Sequence, residues 1–158
     1  MLRAFFICGG VMSEPKLSIY FTLSELIQSG FAARHGIDNI PPAKELEALK
    51  YTAMHLDDVR ALLGVPVIIS SGYRSPAVNT GIGGKPTSQH LKGEAVDFTA
   101  PSFGSPRQIA KAIAASLIPF DQLILEYGQW VHISFVKTGG RREILTIDRF
   151  GTKSGIGD

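Results

Sequence analysis

The feature that most constrains the fold is a change of hydrophobic period part-way along the chain. After Pro41-Pro42, the apolar residues Leu46, Leu49, Ala53, Leu56, Val59 and Leu63 recur at three- and four-residue steps as far as Gly64. That spacing lays them along one stripe of a helix, so a long core-facing helix is expected, with the prolines at its start and the glycine at its end. Beyond Gly64, short runs rich in β-branched and aromatic residues alternate with turn residues, which is the signature of strands. Strands are expected over 65–70, 95–100, 120–127, 130–136 and 142–147. Thr22-Leu23-Ser24-Glu25 has the spacing of a capping box and opens a short helix that ends near Ser29-Gly30. Ser105-Pro106-Arg107-Gln108 opens another over 109–117 by the same logic. Helices first and hairpin-joined strands last point to an α+β domain, a mostly antiparallel sheet with flanking helices.

With 158 residues, 44% of them hydrophobic and 19% charged, the chain is long enough for one core. A single domain is expected over 21–150, after an extension over 1–20 and before a flexible tail over 151–158. The balance of 16 basic against 14 acidic residues leaves no field able to hold a polyanion, which argues against nucleic acid as a partner. Cys8, the one cysteine, can form neither an internal disulfide nor a cysteine-rich zinc cluster. The first residues carry Arg3 and a short apolar run without a small-residue cleavage site, and that run is too short to cross a bilayer. Met12 is therefore expected to be the natural start, with no integral membrane association, synthesis in the cytoplasm and a monomeric state.

Residues 71–87 form a connection rich in Gly, Pro, Ser and Thr, too long to be an idle turn and so expected to be a functional loop. Within it, Gly81-Ile82-Gly83-Gly84 lacks the lysine and helix of a phosphate loop and is read as a rim of the cleft. Side chains alternate across a strand, so Trp130, His132 and Ser134 share one face while Val131, Ile133 and Phe135 share the other. The same parity sets Asp97 apart from Val96 and Phe98. His90 precedes Asp97 by seven residues, and Gly93 allows the chain to turn between them. Two imidazoles and one carboxylate at roughly 2.0–2.2 Å form the ligand set of an open zinc site with a fourth position for water. Calcium and magnesium prefer all-oxygen shells. His35 and His55 have no partners at useful spacing and are expected to be solvent-facing or structural.

Three ordered blocks surround these residues: Ser71-Gly72-Tyr73-Arg74-Ser75-Pro76 followed by Asn79, then Ser88-Gln89-His90 through Gly93, Ala95 and Asp97, then Trp130-Val131-His132. From about Phe21 to Phe135 the chain resembles the zinc D-alanyl-D-alanine carboxypeptidase family, in particular the carboxypeptidase-like C-terminal domain of phage and prophage type. That resemblance implies Zn²⁺ held by His90, Asp97 and His132, and the small α+β fold shared with the signalling domain of hedgehog proteins. It also implies hydrolysis of bonds next to D-amino acids in peptidoglycan, with stem peptides as partners, as a carboxypeptidase or an endolysin-like endopeptidase acting on the cell wall. Many relatives carry an acidic residue three positions before the last histidine, where this chain has Gln129, whose amide accepts no proton near neutral pH.

Glu126 is the expected substitute as general base, with Glu94 and Asp121 as lesser options. If Tyr127-Gly128-Gln129 forms a three-residue hairpin loop, Glu126 pairs opposite Trp130 and shares a face with His132; a two-residue loop would turn it away. Arg74 follows a buried strand and is expected to face the developing oxyanion or a substrate carboxylate, with an ion pair tying down the loop as its structural alternative. Tyr73, Ser88, Gln89 and Trp130 are the expected substrate-binding residues, with turn capping the alternative for Ser88 and core packing for Trp130. The different-class rival is a non-catalytic, zinc-stabilised module that binds peptidoglycan or a partner.

Overall fold

The computed structural model describes residues 13–157, so the expected start at Met12 and the segment before it, with Cys8, lie outside the described residues. The elements run α1 (Leu23–Ile27), α2 (Gly30–His35), α3 (Ala43–Leu63), β1 (Ile68–Ser71), α4 (Pro76–Gly81), a 3-10 turn (Gln89–Lys92), β2 (Ala95–Thr99), α5 (Pro106–Ala114), β3 (Gln122–Glu126), β4 (Trp130–Ser134), β5 (Glu143–Asp148) and β6 (Gly151–Ser154). The architecture is α+β. One sheet has the order β1-β2-β4-β3-β5-β6. Its neighbours are antiparallel except β3 and β5, which run parallel. Among the described residues, no helix is long and apolar enough to cross a membrane.

The stripe on α3 buries Leu49, Ala53, Leu56, Val59 and Leu63, and Gly64 caps the helix in the left-handed conformation, its N–H donating to Arg60 O at 2.9 Å. Ile109, Ala110 and Ile113 of α5 join that stripe, and both helices pack on Val96, Phe98, Leu123, Leu125, Val131 and Ile133 of the three central strands. Each large side chain fully buried here stabilises the fold by about 1.5–3 kcal/mol. Alternation then leaves Asp97, Glu126 and His132 on the other side of the same strands.

Five expectations need correction. The loop over 71–87 contains α4, because Ser75 accepts from Val78 N as N-cap and Pro76 presets the first helical turn. The region after α1 holds a second helix, α2, capped by the side chain of Ser29. Helix α5 stops at Ala114, leaving Leu117 99% exposed. At the end of the described chain, residues 151–154 are no tail: they pair with β5 from Asp148↔Gly151 to Leu145↔Ser154, and Thr146 Oγ1 donates to Gly155 O at 2.7 Å. The stretch 13–20 is likewise docked. Asp57 of α3 accepts from Ser18 Oγ at 2.8 Å and from Ile19 N at 2.9 Å, and Leu17 packs against the core.

Candidate metal centre

Strand register builds the site. Asp97 of β2 is the direct partner of His132 on β4, and on the other flank of β4 Ile124 lies opposite His132 and Glu126 opposite Trp130. His90 reaches the same place from the 3-10 turn, whose first N–H groups are met by Ser88 Oγ at 3.3 Å from His90 N. The turn ends at Gly93 with φ 72°, where an added Cβ would lie 2.4 Å from Glu45 O. Thr52 Oγ1 of α3 donates to Gly93 O at 2.8 Å and fixes that close approach. Glycine is therefore required both for its dihedral and for its lack of a side chain.

His90 Nε2 stands 3.2 Å and His132 Nδ1 2.9 Å from the same oxygen, Asp97 Oδ1. All three residues are buried, and the potential ligand atoms lie within 4.8 Å of one another. The other ring nitrogen of His90 is 2.7 Å from Gly72 O. A carbonyl only accepts, so Nδ1 carries the proton and Nε2 of the neutral ring presents a lone pair to the carboxylate. Burial, opposed by the attraction of Asp97, pushes His90 below its usual range, so the neutral ring is the favoured form. Burial alone would raise Asp97, but His90 and His132 outweigh it and hold the carboxyl well below the usual range. A lone pair and an anionic oxygen thus face each other in a buried setting. A shared cation resolves that conflict, and a donor set of two imidazoles and one carboxylate fits zinc.

Arg74 approaches the second oxygen of the same carboxylate: Nη2 is 2.8 Å from Asp97 Oδ2, and Nε donates to Ser71 Oγ at 2.9 Å. The ion pair foreseen as its alternative role is therefore present. Asn39 holds the segment behind it, donating to Tyr73 O and Ile27 O and accepting from Ser75 N. Tyr73 itself is 3% exposed and packs in the core, so its ring offers the site almost no surface.

The hairpin between β3 and β4 has three residues between the paired Glu126 and Trp130. Tyr127 and Gly128 both take left-handed φ angles, 52° and 64°, and Gln129 N donates to Glu126 O at 2.9 Å. Glu126 is thus on the metal face while Gln129 is exposed at the hairpin tip. Burial, reinforced by Asp97, raises the Glu126 carboxyl against the opposing pull of His132, Arg74 and Lys85. Trp130 is half-buried beside Tyr127, outside the core cluster, and its Nε1 is buried without a partner.

The lesser candidates sit elsewhere. Asp121 accepts from Arg141 N and Nε at 3.0 Å, from Arg141 Nη2 at 2.6 Å and from Gln89 Nε2 at 2.9 Å. Arg141 holds its carboxyl at about 2, the wrong range for a base. Glu94 lines a cleft at the end of the sheet with Gln89 and Asp121. His35 stacks on Phe31, and His55 lies between Tyr51 and Phe135.

Sequence reading had no signal for the Asp121–Arg141 clamp or for Asn39. The first joins residues twenty apart through strand pairing, and the second is a single asparagine whose three partners come from different segments.

A family model described as Peptidase M15 matches residues 19–134, most of the chain, and spans every residue of the metal cluster. The chain belongs to the Peptidase M15 family. This membership accounts for the His90, Asp97 and His132 blocks as parts of a metallopeptidase and agrees with the α+β architecture. No curated protein matches the chain.

Proposed function

We propose that this Peptidase M15 member is a zinc-dependent hydrolase of peptide bonds next to D-amino acids in peptidoglycan, acting on stem peptides of the cell wall. The observation that carries the reading is the buried convergence of His90, Asp97 and His132, with a lone pair and a carboxylate oxygen facing each other at 3.2 Å. When bound, zinc supplies Lewis-acid polarisation of the scissile carbonyl and lowers the pKa of water towards about 7.

The chain supplies the rest. Gly72 O orients His90, and Arg74, itself held by Ser71 Oγ, fixes the free oxygen of Asp97, the kind of outer support that keeps metal ligands in place. Glu126 takes the proton from the attacking water and returns it to the leaving amine. Its register position on the metal face and its raised pKa support that role, since a base works best when its pKa lies nearer the working pH. Arg74, already beside Asp97, stabilises negative charge on the substrate oxygen. Trp130, two residues from His132 on the same face of β4, offers its half-buried ring to the bound peptide. A carboxylate at Glu126 is what a catalytic centre needs and a mere binding module does not, which favours the hydrolase over the rival.

The test is cleavage of purified cell-wall peptides by the zinc-loaded protein and by Glu126→Gln. Hydrolysis at D-amino-acid bonds by the first and its loss in the second, at equal zinc content, is the expected result. Bound zinc with no cleavage across a broad peptide panel overturns the reading.

A further inference from the structure

Three prolines, Pro42, Pro76 and Pro86, together with Leu91 line a pocket of about 410 Å³ between the start of α3 and α4. Small-ligand pockets span about 300–1,000 Å³, so the space suits a compact ligand. None of His90, Asp97, His132 or Glu126 lines it, and it is therefore distinct from the metal centre.

The walls are fixed before anything binds. Asn39 donates to Tyr73 O at 3.0 Å and accepts from Ser75 N at 2.7 Å. Asn79 donates to Lys85 O at 3.0 Å, and a Cβ added to Gly84 would meet Asn79 Oδ1 at 2.1 Å, so the rim packs directly on that side chain. The prolines add stiffness, since their rings lock φ.

Two polar groups of the lining are unmet. Tyr73 is 3% exposed with its ring in the core, yet its hydroxyl has no hydrogen-bond partner among the described residues and, unlike Trp130 Nε1, keeps accessible surface. Glu45, half-buried in the first turn of α3, is the one charged residue of the lining and forms no ion pair among the described residues. The two feel each other: burial pushes the Tyr73 hydroxyl up, and the carboxylates of Glu45 and Asp38 push it further. Lys85 stands between the lining residues Gly84 and Pro86 without lining the pocket itself, and its field falls on Glu126.

A half-buried carboxylate without a counter-ion and a phenol oxygen without a donor, set in an apolar wall, call for a cation with N–H donors on an apolar stem. An alkyl ammonium meets each demand. An anion would be repelled by Glu45, and a purely apolar ligand would leave both groups unmet.

We propose that this pocket binds the ammonium group of a lysine-like side chain of a peptide, its methylene stem on the prolines and Leu91 and its nitrogen between Glu45 and Tyr73. The site stands apart from the peptidase reading, because the groups that hold the ammonium take no part in the metal chemistry.

The test is a heteronuclear NMR titration of the full chain, zinc added, with Nα-acetyl-lysine N-methylamide and with its norleucine twin, which lacks the ammonium. Saturable shifts of the Tyr73, Thr80, Gly84 and Leu91 amides are expected, with the lysine compound bound about tenfold more tightly. Glu45→Gln should erase that preference. Tyr73→Phe should weaken the lysine compound about two- to tenfold and leave norleucine unchanged. Thermal unfolding checks both variants, and if Glu45→Gln does not fold, the two compounds compared on wild type decide the matter alone. No saturable shift at these residues, equal affinity for both compounds, a preference that survives Glu45→Gln, or lysine binding unmoved by Tyr73→Phe overturns the proposal. Failure to cleave any peptide would sink the peptidase reading and leave these shifts in place.

Discussion

The two faces of β2, β3 and β4 are made from alternate residues of the same three short segments, and they differ in almost every respect. One face presents Val96, Phe98, Leu123, Leu125, Val131 and Ile133 to α3 and α5 and buries them fully. The other presents Asp97, Glu126, Trp130 and His132, where Asp97 meets His132 at 2.9 Å, His90 at 3.2 Å and Arg74 at 2.8 Å, and Trp130 Nε1 has no partner. On the first face every contact stabilises the fold. On the second, a lone pair faces an anionic oxygen, an arrangement that costs stability unless a bound cation completes it, and a buried indole N–H lacks an acceptor. A one-residue slip in register would exchange the two faces, so the apolar stripe on α3 also fixes where the chemistry stands.

The sharpest way to separate the faces is to change one residue on each. Glu126→Gln keeps the shape of the metal face and should lower kcat by about 10²–10⁴, with metal content and unfolding midpoint near wild type. Steady-state kinetics alongside a thermal melt checks it; a matching loss of stability would mean that the carboxylate holds the fold instead. Ile133→Ala, the reciprocal change on the apolar face, should cost about 2–5 kcal/mol in urea unfolding while the folded fraction still binds one metal ion per chain. Loss of metal in molecules that remain folded would show that the faces are not separable.

A smaller effect belongs to the sheet end. The Arg141 guanidinium holds the Asp121 carboxyl at about 2, below the usual carboxylate range, so its contribution is fully present above the unfolded value and is lost as pH falls through the folded one. Arg141 is half-exposed, and solvent screening therefore keeps that contribution to at most about 2 kcal/mol. Wild type and Asp121→Asn should differ in urea stability at pH 5 and converge towards pH 2. An unchanged difference across that range would contradict the clamp. Comparing the pair cancels the separate acid sensitivity of Asp97.

What the sequence reveals of this contrast follows the same division. The period of α3, the glycine that ends it, the capping boxes of α1 and α5 and the alternation of the central strands are local signals, and each is found where local physics puts it. The hairpin loop is a finer case. A left-handed Tyr127 is not written in its residue type, yet only the three-residue loop brings Glu126 to the face of His132. Helix α4 was legible in Ser75-Pro76 but hidden by the Gly and Thr content that follows. Strand β6 was not legible, because all four of its residues are exposed and its identity comes from backbone pairing with β5. The parallel β3–β5 pairing and the Asp121–Arg141 clamp depend on long-range register, which no short window encodes.

The central claim is that His90, Asp97 and His132 together hold one metal ion. Equilibrium titration of the metal-stripped protein with Zn²⁺, read against a competing chelator, tests it most directly. The account predicts one tight site per chain in wild type and its loss in Asp97→Ala with the fold retained. A wild-type chain that binds no zinc, or an Asp97→Ala chain that binds it as tightly, would contradict the claim.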